Sequence, residues 1–262
     1  PFQQEEPQQI FPETPDPPPP APHFDLDPEE RAKARRQRKK KTLSPRQPSH
    51  HNIFTHFPKD PNCPICSDCK PVREYRQTGG TPRPDAHPKA QAFADIITAD
   101  HNIVHEKHAS NQKDKSALIV QDHSTSFLGG FPSDTNNAQS TKEALIEFLG
   151  PNQPCKLCYS DGSGEIAKAC RDLHIPHDTS TPNVPGTNAV AERAVRRVKE
   201  GTSCTLVQRG FHEPWWAHAM RCYCYLRNVV DLLHGNMTPY QKRFGLPFRG
   251  PIYPFGCQFN YN

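Results

Sequence analysis

The chain has 262 residues, a formal net charge of +4, 30 prolines, 10 cysteines and 34% hydrophobic residues. No apolar run is long enough to span a bilayer and no signal-peptide core opens the chain, so it reads as soluble and intracellular, with no membrane partner. A charge of +4 is too small to argue nucleic-acid binding by itself, and cysteines in an intracellular chain are more often free or metal-bound than disulfide-linked.

Residues 1–49 join a proline-rich acidic stretch (Glu5, Glu6, Asp16, Pro17 to Pro20, Asp25, Asp27) to a basic run from Arg31 to Lys41. So little apolar surface cannot offset the entropy of ordering, which predicts a disordered tail. Within it, residues 29–41 are rich in helix formers and predict a transient helix. The basic run reads blandly as a solvated linker and more sharply as a nuclear-entry signal or a phosphate-binding arm, which would make the protein nuclear. The initial Pro1 suggests a piece of a larger polyprotein.

Residues 50–72 carry HHNIFTHFPKDPNCPIC. Four residues separate His51 from His56 and two separate Cys63 from Cys66, a spacing that suits tetrahedral Zn²⁺. His50 can replace His51, and Cys69 can replace Cys66. Free thiols beside surface histidines are the competing reading.

From residue 88 the pattern predicts an α/β domain over 88–210, with strands near 92–99, 116–122, 126–132 and 156–160. Ser140 to Glu143 reads as a helix start ahead of the apolar face Ala144, Leu145, Phe148 and Leu149. Further helices are predicted over 165–173 and 188–210, the latter stopped by Gly210. Residues 211–262 read as a helical C-terminal extension, with Trp215 and Trp216 in its core and a buried stretch from Leu226 to Leu233.

Three acids stand in three settings. Asp100 closes the first apolar run, Asp161 closes the strand Leu157 to Ser160, and Glu192 sits early in a helix. Two-metal phosphoryl transfer needs two or three carboxylates converging on divalent ions about 4 Å apart, which this layout suggests. Asp95 remains an alternative first acid, because alternation along one strand would turn Asp95 and Asp100 to opposite faces. Cys155 and Cys158 read as core packing, and His174 and His177 as incidental loop residues.

Three ordered blocks carry a family resemblance. Tyr159-Ser160-Asp161-Gly162-Ser163-Gly164-Glu165-Ile166 resembles the integrase signature (T/S)DNGxEF. Thr181-Pro182 followed by Asn188-Ala189-Val190-Ala191-Glu192-Arg193-Ala194 resembles its SP…NGxAER block. Thr238-Pro239-Tyr240, Phe244-Gly245-Leu246-Pro247 and Phe255-Gly256-Cys257 resemble the TPYE…FGxxP…FGC trailer of copia-type retrotransposon integrases. The resemblance covers about residues 50–262. It implies a ribonuclease H-like fold, a mixed central sheet flanked by helices. It also implies a catalytic core that trims and joins DNA ends with two Mg²⁺ or Mn²⁺ ions on Asp100, Asp161 and Glu192, acting as a homo-oligomer.

On the last predicted helix of the core, Arg196 and Lys199 share the face of Glu192. The resemblance places them along bound DNA; Arg193 and Arg197 could extend the strip, and Asn188 is a further candidate DNA contact. Gly162 stands where the family has Asn and Ala189 where it has Gly. The 30 residues between Asp161 and Glu192 are a few short of the family's usual spacing. Only six residues separate His56 from Cys63, so the family's three-helix zinc domain cannot fit, and a truncated zinc knuckle is expected. Those departures keep a second reading alive, a decayed or domesticated core that binds nucleic acid without catalysis. A ribonuclease H or transposase, or a zinc-dependent adaptor built on residues 50–70, are the other rivals.

Overall fold

The computed structural model describes residues 51–70, 89–180, 189–233 and 235–258. The tail 1–49 with its basic run, His50, the Thr181-Pro182 stretch and Asn188 lie outside the described residues.

Five strands form one sheet in the order β3-β2-β1-β4-β5. They are β1 (Ile97–Ile103), β2 (Ser116–Asp122), β3 (Leu128–Ser133), β4 (Cys158–Ser160) and β5 (His177–Thr179). β1, β2 and β3 pair antiparallel as a meander, while β4 and β5 join parallel on the other side of β1. The interior strand β2 is buried at all seven positions, which requires cover on both faces. Alternation sorts that cover. Leu118 and Val120 point into one cluster with Ala144, Leu145, Phe148, Ile166 and Ala169, whereas Ala117 and Ile119 point into another with Val198, Ala217, Met220 and Tyr223.

The first cluster is roofed by α2 (Ala138–Leu149) and α3 (Gly164–Asp172), the second by α4 (Ala189–Arg209) and α5 (Trp216–Val230). Two short helices complete the set, α1 (Pro64–Cys69) before the sheet and α6 (Pro239–Phe244) after α5. α4 and α5 approach closely because Gly201 has no side chain: a Cβ there would lie 2.1 Å from the Tyr223 ring. α4 ends where expected, at Gly210 in the left-handed region with φ +67.

The structure moves several expected features. β1 starts at Ile97, because Phe93 and Ala94 form a turn in which Ala94 takes φ +65 and Phe93 packs against the Phe127 and Phe148 rings. An apolar run was therefore a packed turn followed by a strand, and Asp100 lies inside β1 instead of closing it. α2 is capped by Asn137, whose side chain accepts from Ser140 N, and Ser140 is the third helical residue of that capping box. β5 occupies what reads as loop around His177. Residues 211–262 are no appendage, since α5 supplies half of one layer. Trp216 is buried there, but Trp215 is 39% exposed. The helix stops at Val230, leaving Leu232 exposed. No helix among the described residues is long and apolar enough to cross a membrane.

Candidate functional site

The parallel register of β1 and β4 brings the first two acids side by side. Thr98 faces Tyr159 and Ala99 faces Ser160, so the next step of the same ladder sets Asp100 beside Asp161 at the end of β4. Neighbouring strands lie about 4.8 Å apart and laterally paired residues share a face, which gives the two carboxylates a common direction. α4 crosses β1 and β2 on that side and carries Glu192 exposed in its first turn, where the helix dipole favours an acid. Burial pushes the Asp100 carboxyl up to about 6, and the charges of Asp161 and then Glu192 push the same way, against the His101 N–H that lowers it. Two like charges acting on one half-buried carboxyl form an arrangement that a divalent cation would relieve.

Asp95 is not part of this group. It lies in the turn before β1, accepts from Gln91 N and Ala92 N at 2.9 Å each, and pairs with Lys156 Nζ at 2.6 Å.

Two histidines border the acids, and neither stood out in the sequence. His101, the strand residue after Asp100, points to the opposite face and sets Nε2 3.1 Å from Thr141 Oγ1 on α2. Burial lowers its pKa, while Asp161 and Glu165 raise it. His177, on β5, sits with Nε2 2.8 Å from Ser160 Oγ, so it is partnered and not an incidental loop residue. Had β1 been read through Asp100 to Ile103, His101 would have been visible; β5, three residues long, carries too little pattern to find.

Along α4, Arg193, Arg196 and Lys199 are exposed beside Glu192, and Arg196 Nε lies 3.9 Å from Glu200 Oε1. Arg197 does not extend the strip. It turns inward and donates Nη1 to Gln121 Oε1 at 3.0 Å.

The His and Cys pairs converge. His51, His56, Cys63 and Cys66 each offer a ligand atom, all within 4.8 Å of one another. Tetrahedral zinc with bonds of about 2.0–2.3 Å needs donors roughly 3.3–3.8 Å apart, within reach of small side-chain adjustments. His51 Nδ1 donates to the Pro58 carbonyl at 2.7 Å, which leaves Nε2 as the lone-pair nitrogen, and that atom is buried without a hydrogen-bond partner. Burial lowers the His56 pKa and so favours the neutral ring a metal needs. The donor chemistry therefore fits zinc. Cys155 and Cys158, by contrast, are buried in the cluster beneath α2 and α3.

The sheet order, the helical layers and the acids on adjoining strands are those of a ribonuclease H-like fold. No protein-family model matches the chain. By sequence it is similar to the retrovirus-related Pol polyprotein from transposon RE2 of Arabidopsis thaliana, 28% identical over 152 residues, and to that from transposon RE1, 29% identical over 150 residues. Each match covers 53% of this chain and 10% of the relative, so the chain spans about a tenth of the length of these curated relatives. By fold it is similar to a chain of the simian T-cell lymphotropic virus intasome in complex with PP2A regulatory subunit B56 gamma. That match has TM-score 0.50 and 15% identity, over 70% of this chain and 66% of that one. The HTLV-2 integrase catalytic core domain in complex with magnesium matches at TM-score 0.45 and 14% identity, over 58% and 97%. In sequence and fold together, the chain resembles a retrotransposon integrase catalytic core.

Proposed function

We propose that this chain performs metal-dependent DNA end processing and strand transfer for a retrotransposon, with Asp100, Asp161 and Glu192 as the ligands of two Mg²⁺ or Mn²⁺ ions. The observation that carries the reading is the β1–β4 register, which sets Asp100 beside Asp161 while the charge of Glu192 reaches the same carboxyl. Hard oxygen donors from two neighbouring strands and a helix suit Mg²⁺ or Mn²⁺. Such ions, when bound, supply charge neutralisation for the attacking and leaving oxygens of a phosphodiester. The chain's own part is to hold three carboxylates at fixed strand and helix positions and to present Arg193, Arg196 and Lys199, with Asn188, to DNA phosphates, which positions DNA without reading its sequence. The basic run Arg31 to Lys41 would serve as a nuclear-entry signal or a further phosphate contact. His51, His56, Cys63 and Cys66 would hold one structural Zn²⁺.

The test is strand transfer of a labelled element-end duplex into plasmid DNA with Mg²⁺, Mn²⁺ or EDTA. Joining should require the metal and disappear in Asp161→Asn and Glu192→Gln, while both variants keep the wild-type circular dichroism and most DNA affinity. Full activity in either variant would remove that acid from the assignment. DNA binding without joining in the wild type would favour the decayed or domesticated core. Crowding does not explain the Gly162 departure on which that reading leans, since a Cβ there would meet nothing within 4 Å.

A further inference from the structure

The four-donor segment is fastened to the core at the residues that flank its donors. Thr55, 1% exposed and adjacent to His56, gives its hydroxyl hydrogen to Asp231 Oδ1 at the end of α5. The other oxygen of the buried Asp231 accepts from Arg227 Nη1 at 3.1 Å. Arg227 also lies over the Phe57 ring, 5.7 Å from its centroid, so residues on both sides of His56 touch one buried ion pair. From α1's end Lys70, 8% exposed, donates Nζ to the carbonyls of His56 at 2.8 Å and Thr55 at 3.4 Å. Gln208 of α4 donates to the Ile53 carbonyl at 3.0 Å, and α1 packs along α4.

A buried guanidinium–carboxylate pair offsets its desolvation only when further hydrogen bonds reach the carboxylate, and the Thr55 hydroxyl supplies one to Asp231. Residues 51–70 contain one six-residue helix and a single isolated bridge, Asn52 to Phe57. So short a segment cannot bury a core of its own, and without metal its order depends on the surface it docks against. The same few residues therefore serve two ends, the placement of the donors and the closing of the α5 ion pair.

We infer that the metal-binding segment is a built-in brace of the core and not a separately tethered module: filling the His51, His56, Cys63 and Cys66 site and docking residues 51–70 on α4 and α5 are one cooperative event, coupled through Thr55, Lys70, Arg227 and Asp231. The inference rests on the zinc reading of those donors. Because α4 also carries Glu192, the brace bears on the helix that holds the third acid.

The experiment uses the full chain and three readouts: zinc per chain by atomic emission, zinc affinity by competition with a chromophoric chelator, and thermal unfolding by circular dichroism with and without that chelator. The expected result is one zinc per chain and a single transition whose midpoint falls by about 5–10 °C when zinc is stripped. Thr55→Val and Lys70→Met should each weaken zinc binding by about tenfold or more, with Thr55→Ser restoring it. One bound zinc with an unmoved core transition and unchanged affinity in both variants would overturn the brace and leave the metal reading standing. A folded chain that takes up no zinc would overturn both. Should a variant fail to fold, the chelator arm on the wild type decides alone.

Discussion

Asp95 and Asp100 compete for one role in the sequence, and their partners separate them. Asp100 stands among acids that raise its pKa, whereas Asp95 is held down to about 2 by its hydrogen bond from Lys156 and by the Ala92 and Gln91 N–H groups. A carboxyl depressed below its ordinary 3.8 adds stability that is complete above that value and is lost as pH falls through about 2. Lys156→Ala should therefore raise the Asp95 midpoint in a carbon-13 NMR titration part of the way to 3.8, the backbone donors holding the remainder; an unmoved midpoint would contradict the pairing. At this scale the candidates could be named from the sequence, the acids from their settings and the family blocks and the His and Cys donors from their spacing, with Asp95, His50 and Cys69 left as alternatives. What spacing could not supply was the partner. Nothing near Asp95 in sequence announces Lys156, and nothing near Arg197 announces Gln121, because both contacts span long stretches of chain.

The four longer helices were legible as elements from their apolar faces at helical spacing, whereas six-residue α1 and α6 carry too short a pattern to find. Strands fared less evenly. The apolar run before Asp100 reads as strand from its composition, yet half of it packs as a turn, and three-residue β5 is held mainly by its pairing with β4. Trp215 misleads in the same way: its neighbour Trp216 donates Nε1–H to the His108 carbonyl at 3.0 Å from a buried position, while Trp215 stays at the surface. α4 carries the element-scale prediction. Arg196→Ala and Lys199→Ala should each weaken DNA binding about uniformly across sequences and reduce the slope of log affinity against log salt by about 1. Filter binding over a salt series measures this, and slopes equal to wild type would take that face of α4 out of the DNA contact.

Across the whole molecule, one side chain joins segments far apart in sequence. Arg243 of α6 lies over the Phe93 and Phe127 rings at 3.9 and 4.5 Å and donates Nη2 to the Leu149 carbonyl at 2.8 Å. It thereby ties the C-terminal helix to the turn before β1, the β2–β3 hairpin and the end of α2. Arg243→Ala should lower stability by about 2 kcal/mol, the sum of partly buried cation–π contacts and a charge-assisted hydrogen bond, read as a reduced urea midpoint at constant slope; an unchanged midpoint would mean the tie contributes nothing. The layered α/β plan was legible because strand and helix periods differ, but a tie of this kind leaves no periodic trace. The sheet's two flanks also set how copies can meet. β3 closes one side and contains Pro132, which has no N–H to offer, and β5 closes the other with only three residues. Both are poor templates for a foreign strand, so any contact between copies of this chain would fall to helix surfaces and loops, with the sheet left out of it.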